Sequence, residues 1–341
     1  MTSFEFIFSG KKVRYFLDAS FAELENIVAK DKLIIITDEN VLNQHPALSA
    51  YKLIVIKAGE QYKNQSTVDY IIQQLIVAEA DRKSFIVGVG GGVVTDITGF
   101  TASIYMRGLQ FGFVPTTILA QVDASIGGKN GIDTGLYKNL VGLIRQPDFI
   151  LFDYSFLKTL PDEQWVNGFA EVIKHGCIKD FELFELLQQY SVKDFQDNHS
   201  LLTALVQRNV VIKSTVVEAD EFENGDRKLL NFGHTIGHAV ENIYELPHGH
   251  AISIGMAAAC VIAEKLNGFD KENTKKVLQL LQQYGLPVSL RIDARRVFEV
   301  LKMDKKRSSS NMNFVLLNNI GSAVVKPIPL VELESLIEQI F

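Results

Sequence analysis

Four of the seven histidines of this 341-residue chain fall within one short stretch, and their spacing suits metal binding: His234, His238, His248 and His250. The first two are four residues apart, so on a helix capped by Asn231 both imidazoles would lie on one face. Catalytic zinc usually binds three protein groups, often imidazoles, and leaves a fourth position open. No glutamate stands between His234 and His238 as in the HExxH metalloproteases. The stretch therefore indicates a metal or phosphate site of another kind.

The segment GFAEVIKHG supplies a carboxylate that could complete such a site. Glu171, Lys174 and His175 occupy adjacent positions of one helical face, and apolar residues flank Glu171. A carboxylate in an apolar setting needs a partner. Glu171 together with histidines from another helix would form a three-ligand zinc site. His175 is a rival ligand, and spacing alone leaves the choice open.

Composition and charge limit the classes of protein to which the chain can belong. A length of 341 residues predicts two globular domains, and the net charge of -6 argues against a non-specific nucleic-acid-binding protein. The longest weakly polar run, 251–263, is too short to span a bilayer, and the N-terminus lacks a secretion-signal pattern. Two distant cysteines, Cys177 and Cys260, favour a reducing compartment and exclude a cysteine-ligated metal site. We therefore expect a cytoplasmic protein that binds neither nucleic acid nor membrane.

The first half alternates between short apolar runs and stretches with helical periodicity, which predicts a parallel sheet covered by helices on both faces. The predicted strands are 33–37, 53–57, 85–89, 112–115 and 149–152, and the clearest helical stretch is 66–80. Ligands bind beyond the carboxyl ends of the strands in such sheets. The polar and glycine-rich segments that begin at Asp38, Gly59, Gly90 and Thr116 are therefore the candidate binding segments.

The segment GGGVVTD at 90–96 follows a predicted strand and opens a helix-like stretch that continues to Met106. Glycines between a strand and a helix let backbone N–H groups close on a pyrophosphate. The usual dinucleotide fingerprint fails, because Val93 occupies the third glycine position and Gln110 stands where an acid is expected. Asp38, at the end of an earlier strand, is the better candidate for contacting a ribose.

The segment 116–142 is polar and rich in glycine. Lys129 follows two glycines, but the Ser or Thr and the upstream glycine of a P-loop are missing. Asp123, Lys129, Lys138 and Asn139 among these glycines indicate a loop that is ordered around an anion.

Strand signals fade after Asp153, and amphipathic stretches follow at 164–178, 181–190, 201–219, 235–244, 252–266 and 273–284. We therefore predict an α/β fold in which a Rossmann-like parallel-sheet domain, 1–155, precedes an all-helical domain, 156–341. Lys213 and Arg227 flank the acidic segment ADEFENGDR, where they are either surface charges or binding groups.

Together these segments resemble the 3-dehydroquinate synthases, sugar-phosphate cyclases of the shikimate pathway. The resemblance covers nearly the whole chain, in order: TDENV, GEQYK, GGGVVTDITGFTASIYMRG, VPTTILAQVDASIGGKNGIDTGLYKN, GFAEVIKHG, RKLLNFGHTIGHAVE, HGHAISIGM and MDKK. It implies an NAD- and zinc-dependent lyase, with cobalt as a possible substitute for zinc. NAD would bind to the first domain, and the metal and substrate to the second.

The resemblance also implies which residues hold the metal. The ligands of that family correspond to Glu171, His234 and His248. His238 would then contact the substrate near its phosphate, whereas the spacing argument allowed it to ligate. His250 stands where the family often has Glu, and it is the alternative third ligand.

Further site residues follow from the same resemblance. The NAD-binding positions correspond to Asp38, Asn40, Glu60, Lys63, Gly90, Gly91, Gly92, Asp96, Thr116, Thr117, Lys138 and Thr159. The substrate-binding and catalytic positions correspond to Asp123, Lys129, Asn139, Lys174, Lys213, Arg227, Asn231 and His238. Arg107 matches an arginine that reaches the site of the neighbouring subunit, which implies a homodimer. Either Lys305 or Lys306 would also approach the phosphate.

The reaction that the resemblance implies is the conversion of 3-deoxy-D-arabino-heptulosonate 7-phosphate to 3-dehydroquinate and phosphate. A substrate hydroxyl would be oxidised by NAD, phosphate would be eliminated, and the same NADH would reduce the ketone before ring opening and intramolecular aldol closure. Zinc would acidify the hydroxyl, and Lys213 and Arg227 would hold the substrate carboxylate. Two alternatives share many of the motifs: a cyclase of another sugar phosphate, such as a 2-deoxy-scyllo-inosose synthase, and a metal-dependent polyol dehydrogenase.

Overall fold

The chain folds into two compact units, and neither unit is one continuous segment. The computed structural model describes residues 2–135, 137–302, 307–308 and 310–341. The first unit runs to Gln164 and also includes Thr203–Glu221, and the second contains Trp165–Leu202 and Phe222–Phe341. The domain boundary after residue 155 stays a prediction. It assigns 203–221 to the second domain, whereas this segment is compact with the first unit.

The first unit is built on a seven-stranded sheet. The strands of the first unit are β1 (Thr2–Phe8), β2 (Lys11–Leu17), β3 (Leu33–Asp38), β4 (Lys52–Ile56), β5 (Phe85–Gly90), β6 (Gln110–Pro115), β7 (Lys129–Thr134), β8 (Tyr137–Ile144) and β9 (Phe149–Phe152), and all but β7 and β8 belong to this sheet. The order in the sheet is β1-β2-β9-β6-β5-β3-β4. β1 pairs antiparallel with β2, and the other pairings are parallel. β7 and β8 form a separate antiparallel hairpin, so the loop predicted for this segment is wrong in part.

Continuous apolar sequence explains the central strands. β3, β5 and β9 are buried along almost their whole length, as expected for parallel strands covered on both faces. The five strands predicted from apolar runs are confirmed. The chain leaves β3 for β4 on one side, while β5 and β6 lie on the other side. This switch of direction between β3 and β5 is where open α/β sheets bind ligands.

The helices also follow the predicted periodicity. They are α1 (Leu24–Ile27), α2 (Glu39–Gln44), α3 (Gln65–Val77), α4 (Gly92–Ile104), α5 (Asp162–Lys179), α6 (Phe181–Gln189), α7 (Val192–Asp197), α8 (His199–Ala219), α9 (His234–Tyr244), α10 (His248–Asn267), α11 (Lys271–Gln283), α12 (Ala294–Leu301) and α13 (Leu330–Ile340). α5, α6, α8, α9, α10 and α11 confirm the helices predicted for the second half.

Most of α8 belongs to the first unit, where its side chains make polar contacts with residues that are distant in sequence. Lys213 Nζ lies 2.8 Å from Asp123 Oδ1. Glu218 Oε1, near the end of α8, accepts a hydrogen bond from the backbone N–H of Ile7 in β1 at 3.1 Å. These contacts explain why this helix is compact with the sheet although its sequence follows α5, α6 and α7.

In the core of the second unit, α9 packs closely against α10. A methyl group at Gly255 of α10 would overlap the carbonyl oxygen of Gly233 and would lie 2.8 Å from the backbone N of Gly237. Gly233 itself has φ +78 and immediately precedes α9. Glycine is therefore required for the close approach at Gly255 and for the left-handed turn at Gly233.

The second unit is not all-helical, and this part of the prediction is wrong. The strands β10 (Arg307–Ser308), β11 (Asn311–Asn319) and β12 (Ser322–Pro329) form an antiparallel sheet. Residues 314–317 of β11 are buried, and β11 packs against α10. The broader fold class, a Rossmann-like parallel-sheet region followed by a mainly helical region, is confirmed.

The helix α10 is the main apolar element of the second unit. It is 20 residues long, longer than the predicted run, and it is apolar enough to cross a membrane. Its most apolar stretch is 72% buried within the protein, as in the core helix of a soluble protein. α10 carries Cys260 and α5 carries Cys177, and burial raises the pKa of both thiols.

Candidate active site

Three potential metal ligands converge within the second unit: Glu171 of α5, His234 of α9 and His248 of α10. Nε2 of His234 lies 3.5 Å from Glu171 Oε1, and Nε2 of His248 lies 3.3 Å from the same oxygen. The three ligand atoms lie within 4.8 Å of one another. Ligand atoms that each lie about 2.1 Å from a tetrahedral zinc ion are separated by about 3.4 Å. The carboxylate and the two imidazoles therefore fit a single ion.

Neighbouring groups orient two of these ligands. Glu171 is fully buried, and Lys174, one turn further along α5, contacts its Oε2, so Oε1 is the oxygen beside the histidines. Nδ1 of His234 lies 3.1 Å from the carbonyl oxygen of Phe232. Because a carbonyl oxygen can only accept, Nδ1 carries the hydrogen and Nε2 keeps the lone pair that a metal needs.

His248, the first residue of α10, lies between two carboxylates. Its Nε2 is 3.3 Å from Glu171 Oε1, and its Nδ1 is 3.3 Å from Glu241 Oε2. Burial acts to lower the pKa of His248, but the two carboxylates outweigh that effect and raise the pKa to about 10. The surroundings of this ring thus favour a positive charge, whether it is a proton or a metal ion.

The other nearby histidines do not join the three ligands. In the part of the chain that the structure describes, His175 and His250 belong to no group of three potential ligands. The ring centroid of His238 lies 5.1 Å from that of His234, so the two rings share a helix face as predicted. His238 belongs to a second group, with Glu241 and His248.

The prediction that Asn231 caps α9 is wrong. Asp226–Asn231 form a 3-10 turn, and Gly233 is the N-cap of α9. Asn231 donates its side-chain N–H to Glu223. Arg227, in the same turn, is only 1% exposed. The left-handed backbone at Gly233 decides where α9 begins, and the cap preference of Asn231 could not show this.

In the first unit, predicted nucleotide-binding residues follow the carboxyl ends of adjacent strands. Asp38 ends β3, and its Oδ1 accepts the backbone N–H of Val41 at 2.9 Å. Gly90 ends β5, and Gly91 is the N-cap of α4 and makes no side-chain cap. Thr116, after β6, donates its backbone N–H to the Gly90 carbonyl at 3.0 Å. Because Gly91 has no side chain to cap them, the backbone N–H groups at the start of α4 are suited to an anionic pyrophosphate.

Lys63 joins several predicted residues of the first unit. Its Nζ lies 2.6 Å from Asp96 Oδ2 and 2.6 Å from Asn139 Oδ1. Burial acts to lower the pKa of Lys63, but Asp96 and Glu60 outweigh it and raise that pKa. Lys138 Nζ lies 3.9 Å from Glu60 Oε1. The structure thus brings together residues that the sequence separates widely.

The remaining predicted residues of the first unit occupy varied positions. Thr117 Oγ1 accepts the backbone N–H of Ala120, Thr159 Oγ1 lies 3.0 Å from His45 Nε2, and Asn40 lies exposed in α2. Gly92 is the first residue of α4.

Asp123 and Lys213 form an ion pair at 2.8 Å, and Lys213 also donates to the carbonyl oxygen of Asp123 at 2.6 Å. Lys129 and Arg107 are exposed, and Arg107 has φ +65. Lys305 and Lys306 lie outside the described residues.

Two buried polar residues beside the potential metal ligands were not predicted from the sequence. Asn167 of α5 accepts a hydrogen bond from the backbone N–H of Gly249 at the start of α10. Glu241 of α9 contacts His248. Asn167 lies four residues before Glu171, and Glu241 lies seven residues after His234. Helical spacing from an identified ligand is the signal that could have found both.

Models of one family match most of the chain. The model of the 3-dehydroquinate synthase N-terminal domain matches residues 53–167, and the model of the C-terminal domain matches residues 168–307. The 3-dehydroquinate synthase of Campylobacter concisus (strain 13826) is 40% identical over 315 residues, which cover 89% of this chain and 90% of the relative.

Solved structures of related cyclases share the whole fold. A 2-deoxy-scyllo-inosose synthase complexed with carbaglucose-6-phosphate, NAD+ and Co2+ has a TM-score of 0.86 and 26% identity, and covers 100% of both chains. A 2-epi-5-epi-valiolone synthase from Streptomyces hygroscopicus subsp. jinggangensis 5008, with NAD+ and Zn2+ bound, also has a TM-score of 0.86 and 26% identity, and covers 97% of this chain and 96% of that chain. The domain matches and the 40% identity over almost the full length mean that the chain belongs to the 3-dehydroquinate synthase family.

Proposed function

We propose that this chain catalyses the reaction of its family, the conversion of 3-deoxy-D-arabino-heptulosonate 7-phosphate to 3-dehydroquinate and phosphate. The convergence of Glu171, His234 and His248 is the observation that supports the proposal most directly. The buried lysine and arginine at 213 and 227 also support it, because an acidic substrate needs cations that a simple polyol dehydrogenase does not.

In this proposal Glu171, His234 and His248 hold the metal, which is zinc or cobalt. A bound metal supplies Lewis acidity, which lowers the pKa of a substrate hydroxyl. Lys174 fixes the Glu171 carboxylate through Oε2 and balances part of its charge. His234 presents Nε2 because its Nδ1 donates to the Phe232 carbonyl.

The predicted cofactor residues of the first unit would hold NAD. The backbone N–H groups at the start of α4 suit the pyrophosphate, and Asp38 suits a ribose hydroxyl. Bound NAD supplies a reversible oxidation in which one hydride leaves the substrate and later returns to it. Lys63, held by Asp96 and Asn139, adds a fixed positive charge near these residues.

Cationic and amide side chains would bind the two anionic ends of the substrate. Arg227 can form two parallel hydrogen bonds with the carboxylate, and Lys213, oriented by Asp123, adds a second cation. The phosphate would be held by Lys129, Asn139, Asn231 and His238. The phosphate oxygens themselves would accept the proton that is removed during elimination.

We also propose that the protein acts in the cytoplasm. The exposed Arg107 suits the proposed contact with a neighbouring subunit of a homodimer.

An assay of phosphate release tests the proposed function. Purified protein with a divalent metal and a catalytic amount of NAD should release one phosphate for each heptulosonate phosphate consumed, with no net rise in NADH absorbance. Release from glucose 6-phosphate alone would favour the other cyclase activity. A net accumulation of NADH would favour a dehydrogenase.

A further inference from the structure

A buried carboxylate outside the predicted catalytic set contacts one of the metal ligands. Glu241 is 5% exposed, and its Oε2 lies 3.3 Å from Nδ1 of His248. The opposite ring nitrogen, Nε2, lies 3.3 Å from Glu171 Oε1. The imidazole of His248 therefore has one carboxylate at each nitrogen, each supplied by a different helix.

The three ligands differ in how firmly their own surroundings hold them. Glu171 is fully buried in the middle of α5, and the ring of His234 is fixed by the carbonyl of Phe232. His248 is the first residue of α10, and its side chain is 28% exposed. An imidazole at a helix start has fewer neighbours to fix its rotamer, so a polar partner has the largest effect there.

The position of the Glu241 carboxylate decides which nitrogen of His248 can bind a metal. A carboxylate accepts hydrogen bonds, so Nδ1 keeps its hydrogen beside Glu241, and Nε2, which faces Glu171 and His234, is the nitrogen that would exchange its proton for a metal ion. Carboxylates that hold metal-bound histidines in this way fix both the tautomer and the ring orientation.

We propose that Glu241 is a positioning residue that holds His248 with Nε2 directed at the point shared with Glu171 Oε1 and His234 Nε2. This inference rests on the proposed metal centre and adds a fourth residue that acts through a ligand. It also favours His248 over His250 as the third ligand. His248 contacts Glu241, whereas His250 belongs to none of the groups of three potential metal ligands among the described residues.

A structural role alone would give a different result. If the contact between Glu241 and His248 only joined α9 to α10, its loss would lower the stability of the protein with or without metal. A positioning role predicts a loss of metal affinity that exceeds any change in the metal-free protein. The two roles can therefore be separated by measuring both quantities.

The experiment compares Glu241→Leu with Glu241→Gln in the full-length, metal-free protein titrated with Co2+. Glutamine keeps an oxygen that can accept from Nδ1, whereas leucine has none. We expect Glu241→Leu to bind Co2+ about 10- to 100-fold more weakly and to change the visible absorption of the bound ion. Glu241→Gln should stay within about threefold of the wild type, since its carbonyl oxygen replaces the carboxylate as acceptor. The exposed Glu245→Gln is the matched control and should bind as the wild type does.

Melting curves of the metal-free variants, followed by the fluorescence of the single tryptophan, Trp165, complete the test. Wild-type Co2+ affinity and spectrum in Glu241→Leu would overturn the inference. If Glu241→Leu does not fold, Glu241→Gln can still overturn the inference, because a loss of 30-fold or more there would show that the hydrogen-bond acceptor is not what matters.

Glu171→Gln in the same titration distinguishes this inference from the proposed function. Unchanged Co2+ binding in Glu171→Gln would overturn the metal centre itself. Lost binding in Glu171→Gln with normal binding in Glu241→Leu would overturn only the role of Glu241.

Discussion

The two oxygens of the Glu171 carboxylate have different neighbours. Oε2 contacts Lys174, and Oε1 lies beside Nε2 of both His234 and His248. A glutamine at this position would turn its carbonyl oxygen toward the Lys174 ammonium, because that ammonium can only donate. The amide NH2 group would then occupy the position of Oε1, and an NH2 group does not bind a metal.

Glu171→Gln should therefore lower metal affinity by more than about 100-fold and lower phosphate release in parallel at limiting metal. Glu163→Gln changes an exposed carboxylate on the same helix and should leave both quantities unchanged. Metal content after dialysis and the rate of phosphate release are the two measurements. Full zinc content and full turnover in Glu171→Gln would refute the assignment.

Lys213 is a second residue whose contacts predict a selective effect: its loss should weaken substrate binding more than NAD binding. Its substitution by methionine removes the cation that pairs with Asp123 and that we assign to the substrate carboxylate. A hydrogen bond to a charged group contributes about 1.5–3 kcal/mol, so we expect KM for the heptulosonate phosphate to rise by about 10- to 100-fold. The dissociation constant of NAD, measured by fluorescence titration, should change less than about threefold. Equal losses for both ligands would contradict the carboxylate role, and exposed Lys83→Met is the control.

At the scale of elements, the metal centre depends on how closely α9 and α10 pack. Gly255 lies where α10 meets the Gly233 carbonyl, one residue before His234. Added bulk at Gly255 would push apart the helices that carry His234 and His248. Small residues at this crossing are thus a condition for two imidazoles to reach one ion.

Gly255→Ala should destabilise the protein by about 1–3 kcal/mol, the usual cost of overpacking a core, and should weaken metal binding. Urea unfolding followed by Trp165 fluorescence measures the first effect, and Co2+ titration measures the second. Lys265→Ala, on the exposed side of the same helix, should change neither. A Gly255→Ala protein with wild-type stability would show that the helices can separate without cost.

The sequence predicts most of the elements that bury continuous or periodic apolar surface, although it misses β11, whose residues 314–317 are apolar and buried. β3, β5 and β9 are continuous apolar runs, and α5, α9 and α10 repeat at helical spacing, so all were predicted. β1 and β8 expose most of their residues, and their sequences carry no comparable signal.

The residues of the candidate site were likewise predicted only in part. Residue type, spacing and family resemblance predicted Glu171, His234 and His248 as metal ligands, and the structure brings these three residues together. Two of the buried residues beside them, Asn167 and Glu241, were not predicted, because they acquire their neighbours only when α5, α9 and α10 pack. The start of α9 was mispredicted for a similar reason, since the φ of Gly233 depends on its packing against α10.

At the scale of the whole molecule, the order of the chain and its compact units do not coincide. Glu218 bonds to Ile7 across 211 positions, and the ion pair of Lys213 with Asp123 spans 90. Periodicity within a window of sequence cannot reveal such partners, so the continuous boundary at 155 could not anticipate the return of Thr203–Glu221 to the first unit.

The three proposed metal ligands all belong to the second unit, and this predicts a thermal effect of metal removal. A ligand that binds only the folded state, present at 100 times its dissociation constant, stabilises it by about 2.7 kcal/mol. Trp165 is buried on the helix that carries Glu171, so its fluorescence reports unfolding of this unit. We expect a chelator to lower the Trp165 melting midpoint by roughly 5–10 °C. Glu171→Gln should melt at the same temperature with or without chelator, and a wild-type midpoint that does not respond would contradict the prediction.

The two buried thiols allow local opening of the second unit to be followed by chemical labelling. One thiol lies on the helix of Glu171 and the other on the helix of His248, and both have a raised pKa. An alkylating reagent reacts with exposed thiolate, so each cysteine can be modified only while its own helix is open. The labelling rates of Cys177 and Cys260, measured by mass spectrometry, therefore report separately how often α5 and α10 open locally. A metal ion bound to Glu171 and His248 would slow both rates.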